Sequence, residues 1–261
     1  MQPLVARERQ AKITYRSVEE IVTGYLKRVA VEGKFSIEPR FEEREEFVIA
    51  GYRKHTRDGY LCSNQKNGGL VMAFCDLFKV FIPIRVDEDI YLRQHEPEKD
   101  ARPFWEIYQD EENFTYFGGY RKLHDWNEER EIRVEASRIR GFKGKREYSW
   151  VVTYQGEVIG QIQLFNFFNH NTCAEVGYFI KKTYWNRGIN TKVLKAVCRF
   201  GIEAMGLERM EAFAHVDNIG SNRTLQKAGF VKEGTLRRRF EVKGELFDCN
   251  VYSFVRDDLE K

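Results

Sequence analysis

Residues 174–230 read AEVGYFIKKTYWNRGINTKVLKAVCRFGIEAMGLERMEAFAHVDNIGSNRTLQKAGF, and the order of apolar, polar and glycine positions here decides the architecture. Residues 174–180 make a short strand. A seven-residue turn follows, Trp185, Asn186, Arg187, Gly188, Ile189, Asn190 and Thr191, and it opens an amphipathic helix. A helix that starts at a glycine turn leaves its first N–H groups without intrahelical partners and aims them at the turn. Such a turn is a ready site for phosphate oxygens. The plain alternative is a strand–turn–helix connection with no ligand. No cluster of metal ligands and no nucleophile accompanies the turn, so the residues point to a pyrophosphate-bearing cofactor held by backbone.

Working outward, Val193, Leu194, Val197, Ile202 and Met205 repeat at helical spacing, as expected of a helix lying on a sheet. Gly206 before Leu207 reads as a left-handed cap. Residues 210–216 return as a strand, residues 221–228 form a short helix stopped by Gly229, and residues from Phe230 onward fold as a hairpin around Lys243 and Gly244. Upstream, residues 89–93 are a short strand, and a helix starts around Pro97, which is tolerated in a first turn. A hairpin joins residues 148–154 to 158–165 through Gln155 and Gly156. Residues 87–261 are therefore read as one α/β (α+β) domain with a mixed central sheet flanked by helices.

Residues 1–86 carry a different pattern. Ser17 and Glu20 make a capping box, and Val18, Ile21, Val22, Tyr25, Leu26 and Val29 form a helical stripe. Residues 47–52 read as a strand, and residues 70–78 are an apolar run. Too apolar for a disordered tail, this part is read as a small accessory region or a dimerisation element, which leaves a homodimer open.

Composition narrows the function classes. The 261 residues are 42% hydrophobic and 32% charged, with a net charge of +3. That supports a packed core but gives no general attraction to nucleic acid or membrane. The five cysteines (Cys62, Cys75, Cys173, Cys198, Cys249) are scattered, which fits reduced thiols in the cytoplasm and not a disulfide frame or zinc site. His124 and His170 lack ligand partners at useful spacing, so no metal is expected.

The block 174–230, followed by Glu233, Gly234, Thr235, Leu236 and Arg237 and then by Gly244, Asp248, Val251, Tyr252 and Ser253, resembles the GNAT superfamily of N-acetyltransferases. Within it, the chain is most similar to the ribosomal-protein N-terminal acetyltransferase (RimJ/RimL-like) type. The resemblance covers residues 88–261, and Tyr91, Leu92, Arg93 and Asp100 fit the opening strand and helix of that type. One position departs: the turn carries Asn190 where Gly or Ala is usual. Asn tolerates positive φ. The resemblance implies a sheet with a splayed strand pair and acetyl-CoA as cosubstrate in the cleft between them. It places Phe179, Ile180 and Lys181 along the pantetheine arm, with Asn186, Arg187, Gly188, Ile189, Asn190 and Thr191 around the pyrophosphate. Asn218 would hydrogen-bond the pantetheine amides.

For chemistry, the resemblance sets Ser221 near the sulfur as proton donor to the leaving thiolate. Asn218 and Ser221 are equally good helix caps. The tyrosine that much of the superfamily uses one turn later is Leu225 here. Glu175, on the strand beside the cleft, can take a proton from an incoming ammonium, or else be a carboxylate satisfied by strand-edge donors. Glu241 is a second, weaker candidate. Two basic runs, Arg237 to Arg239 and Arg138, Arg140, Lys143, Lys145 and Arg146, read as solvated surface or as attraction for an acidic substrate or the 3′-phosphate. Tyr116, Phe117, Tyr120, Trp126 and Trp150 read as core, and His215 as a packed histidine. The expected function is N-acetyl transfer to an amine-bearing acceptor, a protein N-terminus or a small molecule. The competing reading is a non-catalytic acyl-CoA sensor.

Overall fold

The computed structural model of the protein describes residues 11–13, 47–49, 74, 76–117, 125–242 and 244–260. Strands β1 (Ala11–Ile13) and β2 (Phe47–Ile49) pair antiparallel as a two-stranded ladder. The expected helix over residues 17–29 lies outside the described residues, as do Cys62, Cys75, Tyr120 and His124.

The main sheet has eight strands: β3 (Ile84–Arg85), β4 (Ile90–Arg93), β5 (Glu147–Tyr154), β6 (Glu157–Phe168), β7 (Cys173–Ile180), β8 (Arg209–His215), β9 (Val231–Val242) and β10 (Glu245–Val255). Their order is β3-β4-β5-β6-β7-β8-β10-β9. Every neighbouring pair is antiparallel except β7 and β8, which are parallel. Among the described residues, four α-helices flank the sheet: α1 (Pro97–Gln109), α2 (Glu128–Lys143), α3 (Ile189–Glu203) and α4 (Ile219–Ala228).

The elements expected from residue 89 onward are in place. Pro97 occupies the first turn of α1. Fully buried Asp100 accepts from the Glu96 N–H at 2.6 Å and takes both guanidinium nitrogens of Arg93 at 2.8 and 2.5 Å. A bidentate pair of this kind fixes the angle between β4 and α1. Gly206 and Gly229 sit at φ 73° and 99°, and both end helical segments as expected.

α2 is an element the sequence did not disclose. Its inward positions include Glu131, Glu135, Gly141 and Phe142, so no apolar stripe marks it. Glu135 Oε2 lies 3.0 Å from His95 Nδ1, and His95 Nε2 meets Ser149 Oγ at 3.0 Å, all three side chains being buried. Arg138, read as solvated surface, instead reaches inward to Glu147 at 3.0 Å and Gln163 at 3.2 Å. The rest of that run, Arg140, Lys143, Lys145 and Arg146, is exposed.

The packed unit also starts earlier than residue 87. Leu77, Phe78, Phe81, Ile82, Ile84 and Val86 are buried in the main core. The Ile82 N–H donates to Tyr148 Oη, and the Trp150 indole donates to the Ile82 carbonyl, at 2.7 and 2.9 Å. The first strand of the sheet, β3, belongs to this segment. One core joins α3 and α4 to one face of the sheet, through Ile162, Leu164, Val176, Val197, Leu225 and their neighbours. A smaller cluster on the opposite face holds Phe104, Ile107, Tyr108 and Phe114 against Val151, Val158 and Phe179.

Candidate active site

The sheet opens where the parallel pair β7 and β8 ends. β7 and β8 pair over Cys173↔Arg209, Ala174↔Met210 and Glu175↔Glu211, and no further. Beyond Glu175 the β8-facing edge of β7 has no strand beside it, so its N–H and C=O groups need another partner. Successive residues of a strand direct these groups to alternate edges. The Lys181 N–H donates to the Ile159 carbonyl on the β6 side at 2.7 Å. By alternation Phe179 also addresses β6, while Val176, Tyr178 and Ile180 address the gap. The Trp185 indole donates to the Ile180 carbonyl at 2.9 Å, which leaves the Ile180 N–H and the backbone of Tyr178 along the gap.

At the far end of β7 lies the glycine turn. Asn186 and Gly188 both have positive φ, 59° and 74°, and Gly188 is the residue that opens α3, with no side chain capping the helix. A Cβ on Gly188 would meet nothing within 4 Å, so the glycine serves the backbone angle and leaves open space in front of the helix end. The Ile189, Asn190 and Thr191 N–H groups face that space. Basic side chains nearby are already engaged. Lys181 pairs with Glu157 at 2.6 Å and Lys192 with Asp87 at 2.7 Å. Arg187 stacks on Tyr154 and Tyr184 at 4.8 and 5.2 Å. Among the described residues, the buried side-chain polar atom left without a partner is Oδ1 of Asn190, in this same turn. A helix end with unpaired donors and open space in front of it fits a phosphate-bearing ligand.

The start of α4 borders the gap from the β8 side. Asn218 Oδ1 accepts from the Ser221 N–H at 3.0 Å, so its capping role is present. Its Nδ2 has no partner among the described residues. Leu225 is fully buried. Sequence reasoning passed over Tyr178, whose hydroxyl lies 3.1 Å from Ser221 Oγ. Burial raises the Tyr178 phenol well above its ordinary pKa, so it stays protonated and can donate to Ser221. Its signal was present in the alternation of β7, which sends Tyr178 toward α4 when Phe179 faces α1.

On the opposite face, Glu175 and Glu211 stand side by side at the vertex. Glu211 is held by Arg209 Nε at 2.8 Å, and Arg209 also makes a bidentate pair with Glu233 at 2.8 and 2.5 Å. That pairing draws the Glu233 carboxyl down to about 2. Glu175 makes no hydrogen bond or ion pair among the described residues, so of the two vertex carboxylates it is the one open to a substrate proton. Further along this face stand Phe213 and His215. The imidazole lies between Tyr116 and Phe247, with centroids at 4.9 and 4.6 Å, and its Nδ1 accepts from the Asp217 N–H. His215 is thus packed as expected, whereas Tyr116 is 41% exposed and borders the gap instead of filling a core. Glu241 pairs with Leu246 and alternates with Phe240, which puts it on the other side of the sheet from Phe213.

Among the described residues no group of His, Cys, Asp and Glu is placed to hold a metal ion, and no helix is long and apolar enough to cross a membrane. Cys173, Cys198 and Cys249 are buried thiols, and burial raises Cys198 and Cys249 away from the reactive thiolate.

Residues 89–231 match the acetyltransferase (GNAT) domain family. The chain is similar to the uncharacterized N-acetyltransferase YoaA of Bacillus subtilis, 32% identical over 177 residues that cover 67% of this chain and 97% of YoaA. It is also similar to the ribosomal-protein-serine acetyltransferase of Escherichia coli, 27% identical over 108 residues that cover 41% of this chain and 60% of that enzyme. Among solved structures, RimL, a ribosomal α-N-protein acetyltransferase in complex with coenzyme A, superposes with a TM-score of 0.60 over 66% of this chain and 97% of RimL. At 18% identity that likeness is one of fold.

Proposed function

The chain belongs to the acetyltransferase (GNAT) domain family, and from that premise we propose that it transfers an acetyl group from acetyl-CoA to a primary amine by direct attack. The unit that does so runs from about residue 76 to the C-terminus, with residues 1–75 as an accessory region. The observation that carries this reading is the gap between β7 and β8, bordered at one end by the unpaired N–H groups of Ile189, Asn190 and Thr191 and at the other by Glu175.

In this reading Asn186, Arg187, Gly188, Ile189, Asn190 and Thr191 hold the pyrophosphate. An anion at a helix end gains about 0.3–1 kcal/mol from the dipole, and up to ~2 kcal/mol when partly buried. The Ile180 N–H and the backbone of Tyr178 hold the pantetheine arm, with Phe179 and Lys181 shaping the same strand end. Asn218 Nδ2 adds a donor to a pantetheine amide carbonyl. Acetyl-CoA supplies an acyl carbon already activated for attack, so no enzyme nucleophile is required.

Glu175 accepts a proton from the incoming ammonium, which frees the nitrogen lone pair. The cost of that deprotonation depends on the amine. At neutral pH it is about 1 kcal/mol for an α-amine of pKa ~7.7–8.0 and about 4.5 kcal/mol for a lysine of pKa ~10.4. A carboxylate at the rim of a partly open site suits the first far better. The acceptor class is therefore an N-terminal or similarly weakly basic amine, in keeping with the ribosomal-protein-serine specificity of the Escherichia coli relative. Ser221 Oγ, supported by the Tyr178 hydroxyl, donates a proton to the departing thiolate. Main-chain N–H groups along the open edge of β7 stabilise charge on the acyl oxygen. A cosubstrate of this kind and scattered cysteines support a cytoplasmic protein.

Thiol release from acetyl-CoA, measured against a panel of peptide α-amines and lysine side-chain amines, tests the proposal. Turnover with the α-amines is the expected result. Binding of acetyl-CoA with no turnover on any amine would transfer support to the sensor reading.

A further inference from the structure

β9 carries an irregularity that neither the fold nor acetyl transfer requires. Leu236 pairs with Cys249 and Phe240 with Phe247, so Arg237, Arg238 and Arg239 stand opposite Asp248 alone. This is a bulge of the kind that re-aims a side chain. Arg238 sits in the left-handed region at φ 52°, a conformation that arginine rarely adopts. Its N–H donates to Asp248 Oδ1 at 2.8 Å, which pins the distortion.

The consequence lies one residue on. In a regular strand, Arg239 and Phe240 would point to opposite faces. Here the Arg239 guanidinium lies 5.3 Å from the centre of the Phe240 ring and 5.5 Å from that of Phe213, and the two rings meet edge to face at 5.9 Å. The bulge has carried an exposed cation onto the acceptor face of the sheet. Arg239 makes no ion pair or hydrogen bond with a carboxylate among the described residues. By contrast, Arg209, further down the same face, is fully occupied by Glu211 and Glu233.

Phe213 connects this cation to the chemistry. It is the next residue of β8 on that face after Glu211, the partner of Glu175 at the vertex. The acceptor face therefore has two polar ends separated by aromatic wall: an unengaged carboxylate at Glu175 and a stacked, unengaged guanidinium at Arg239. Stacking holds the planar fork at low entropic cost and leaves its N–H edges open, which suits a carboxylate.

We propose that Arg239 is a specificity-determining residue that binds a carboxylate carried by the acceptor, so that the preferred substrate is a peptide whose reactive N-terminal amine is followed closely by an acidic side chain. This rests on the acetyltransferase reading above. It also assigns Arg239 to the acceptor, not to the 3′-phosphate of the cosubstrate.

The test is calorimetry with two peptide amides that differ in one charge, Ala-Glu-Ala and Ala-Gln-Ala, titrated into the full chain with and without saturating coenzyme A. The wild type is expected to bind the Glu peptide about tenfold more tightly, the scale of one charge-assisted pair. R239Q is expected to abolish that preference and R239K to keep part of it. Coenzyme A affinity, measured on each variant, reports that the fold and the glycine turn are intact. Equal binding of the two peptides by the wild type, or a preference that survives R239Q, would overturn the assignment. A silent coenzyme A titration would instead count against the acetyltransferase reading, and the peptide preference would still be read without it.

Discussion

On the α3 and α4 side of the parted strands the candidate cosubstrate contacts are mostly main-chain groups, joined by the side chains of Asn218, Ser221 and Tyr178, while on the opposite side they are side chains alone. The N–H groups after Gly188 and the open edge of β7 recognise any ligand with a diphosphate and an amide-bearing arm, whatever residues line the turn. Glu175, Phe213, His215, Tyr116 and Arg239 offer charge and aromatic shape instead. Backbone recognition suits a cosubstrate shared across a family, and side-chain recognition suits an acceptor that varies within it.

If that division is right, changes on the two faces must give separable defects. The largest is expected at the vertex. E175Q should lower kcat/KM for an α-amine by about 10²-fold near pH 6.5, in the range of general-base effects. The deficit should shrink above pH 8.5, where the amine is already neutral, and the KM for acetyl-CoA should hold. A uniform loss at all pH values would remove Glu175 from the role of base.

The second effect belongs to the other face. G188V forces a β-branched residue to φ 74°, at a cost of about 1–2 kcal/mol. It should raise the KM for acetyl-CoA about tenfold or more, with only a few degrees lost in Tm. Peptide preference should be untouched. A changed acceptor preference with unchanged cosubstrate affinity would contradict the division.

Within the same face, Ser221 and Tyr178 separate proton delivery from binding. S221A is expected to lower kcat by roughly tenfold, and Y178F by a few-fold, with little change in the KM for acetyl-CoA. Y178F added to S221A should have little further effect if the phenol acts through the serine. Fully additive losses would show that Tyr178 acts on its own.

The smallest effect concerns stability at the base of the acceptor face. Arg209 holds the Glu233 carboxyl at about 2, below the ordinary glutamate value of about 4.3. A group with a depressed folded pKa stabilises above its unfolded value and loses that contribution as pH falls through the folded one. E233Q should therefore melt slightly below the wild type at pH 7. The gap should close between about pH 4.3 and pH 2. Because the carboxylate is largely exposed, solvent screening keeps the difference small.

The same contrast explains what the sequence disclosed. The glycine turn, the Asn218 cap, the Gly206 and Gly229 stops and both hairpins follow from local rules, and their positions were legible. α2 was not, because its buried face includes Glu131, paired with Arg130, and Glu135, paired with a distant His95. Arg138 was taken for surface for the same reason. Tyr178 beside Ser221, and Arg239 over Phe213, are meetings of residues 43 and 26 positions apart in sequence, set by strand pairing and by a bulge. Alternation along β7 gives the face of Tyr178 but not its partner, and no local pattern announces the stacking of Arg239. The segment around Ile82 packs into the main core through residues far along the chain, Phe142, Tyr148 and Trp150 among them, which no local pattern shows.

Titration of acetyl-CoA into the purified chain and into G188V by calorimetry addresses the main-chain cradle most directly. Saturable binding at one site by the wild type, weakened about tenfold or more in G188V, is the expected result. No heat from the wild type, or equal affinity in the two proteins, would contradict a cosubstrate held by the backbone at this turn.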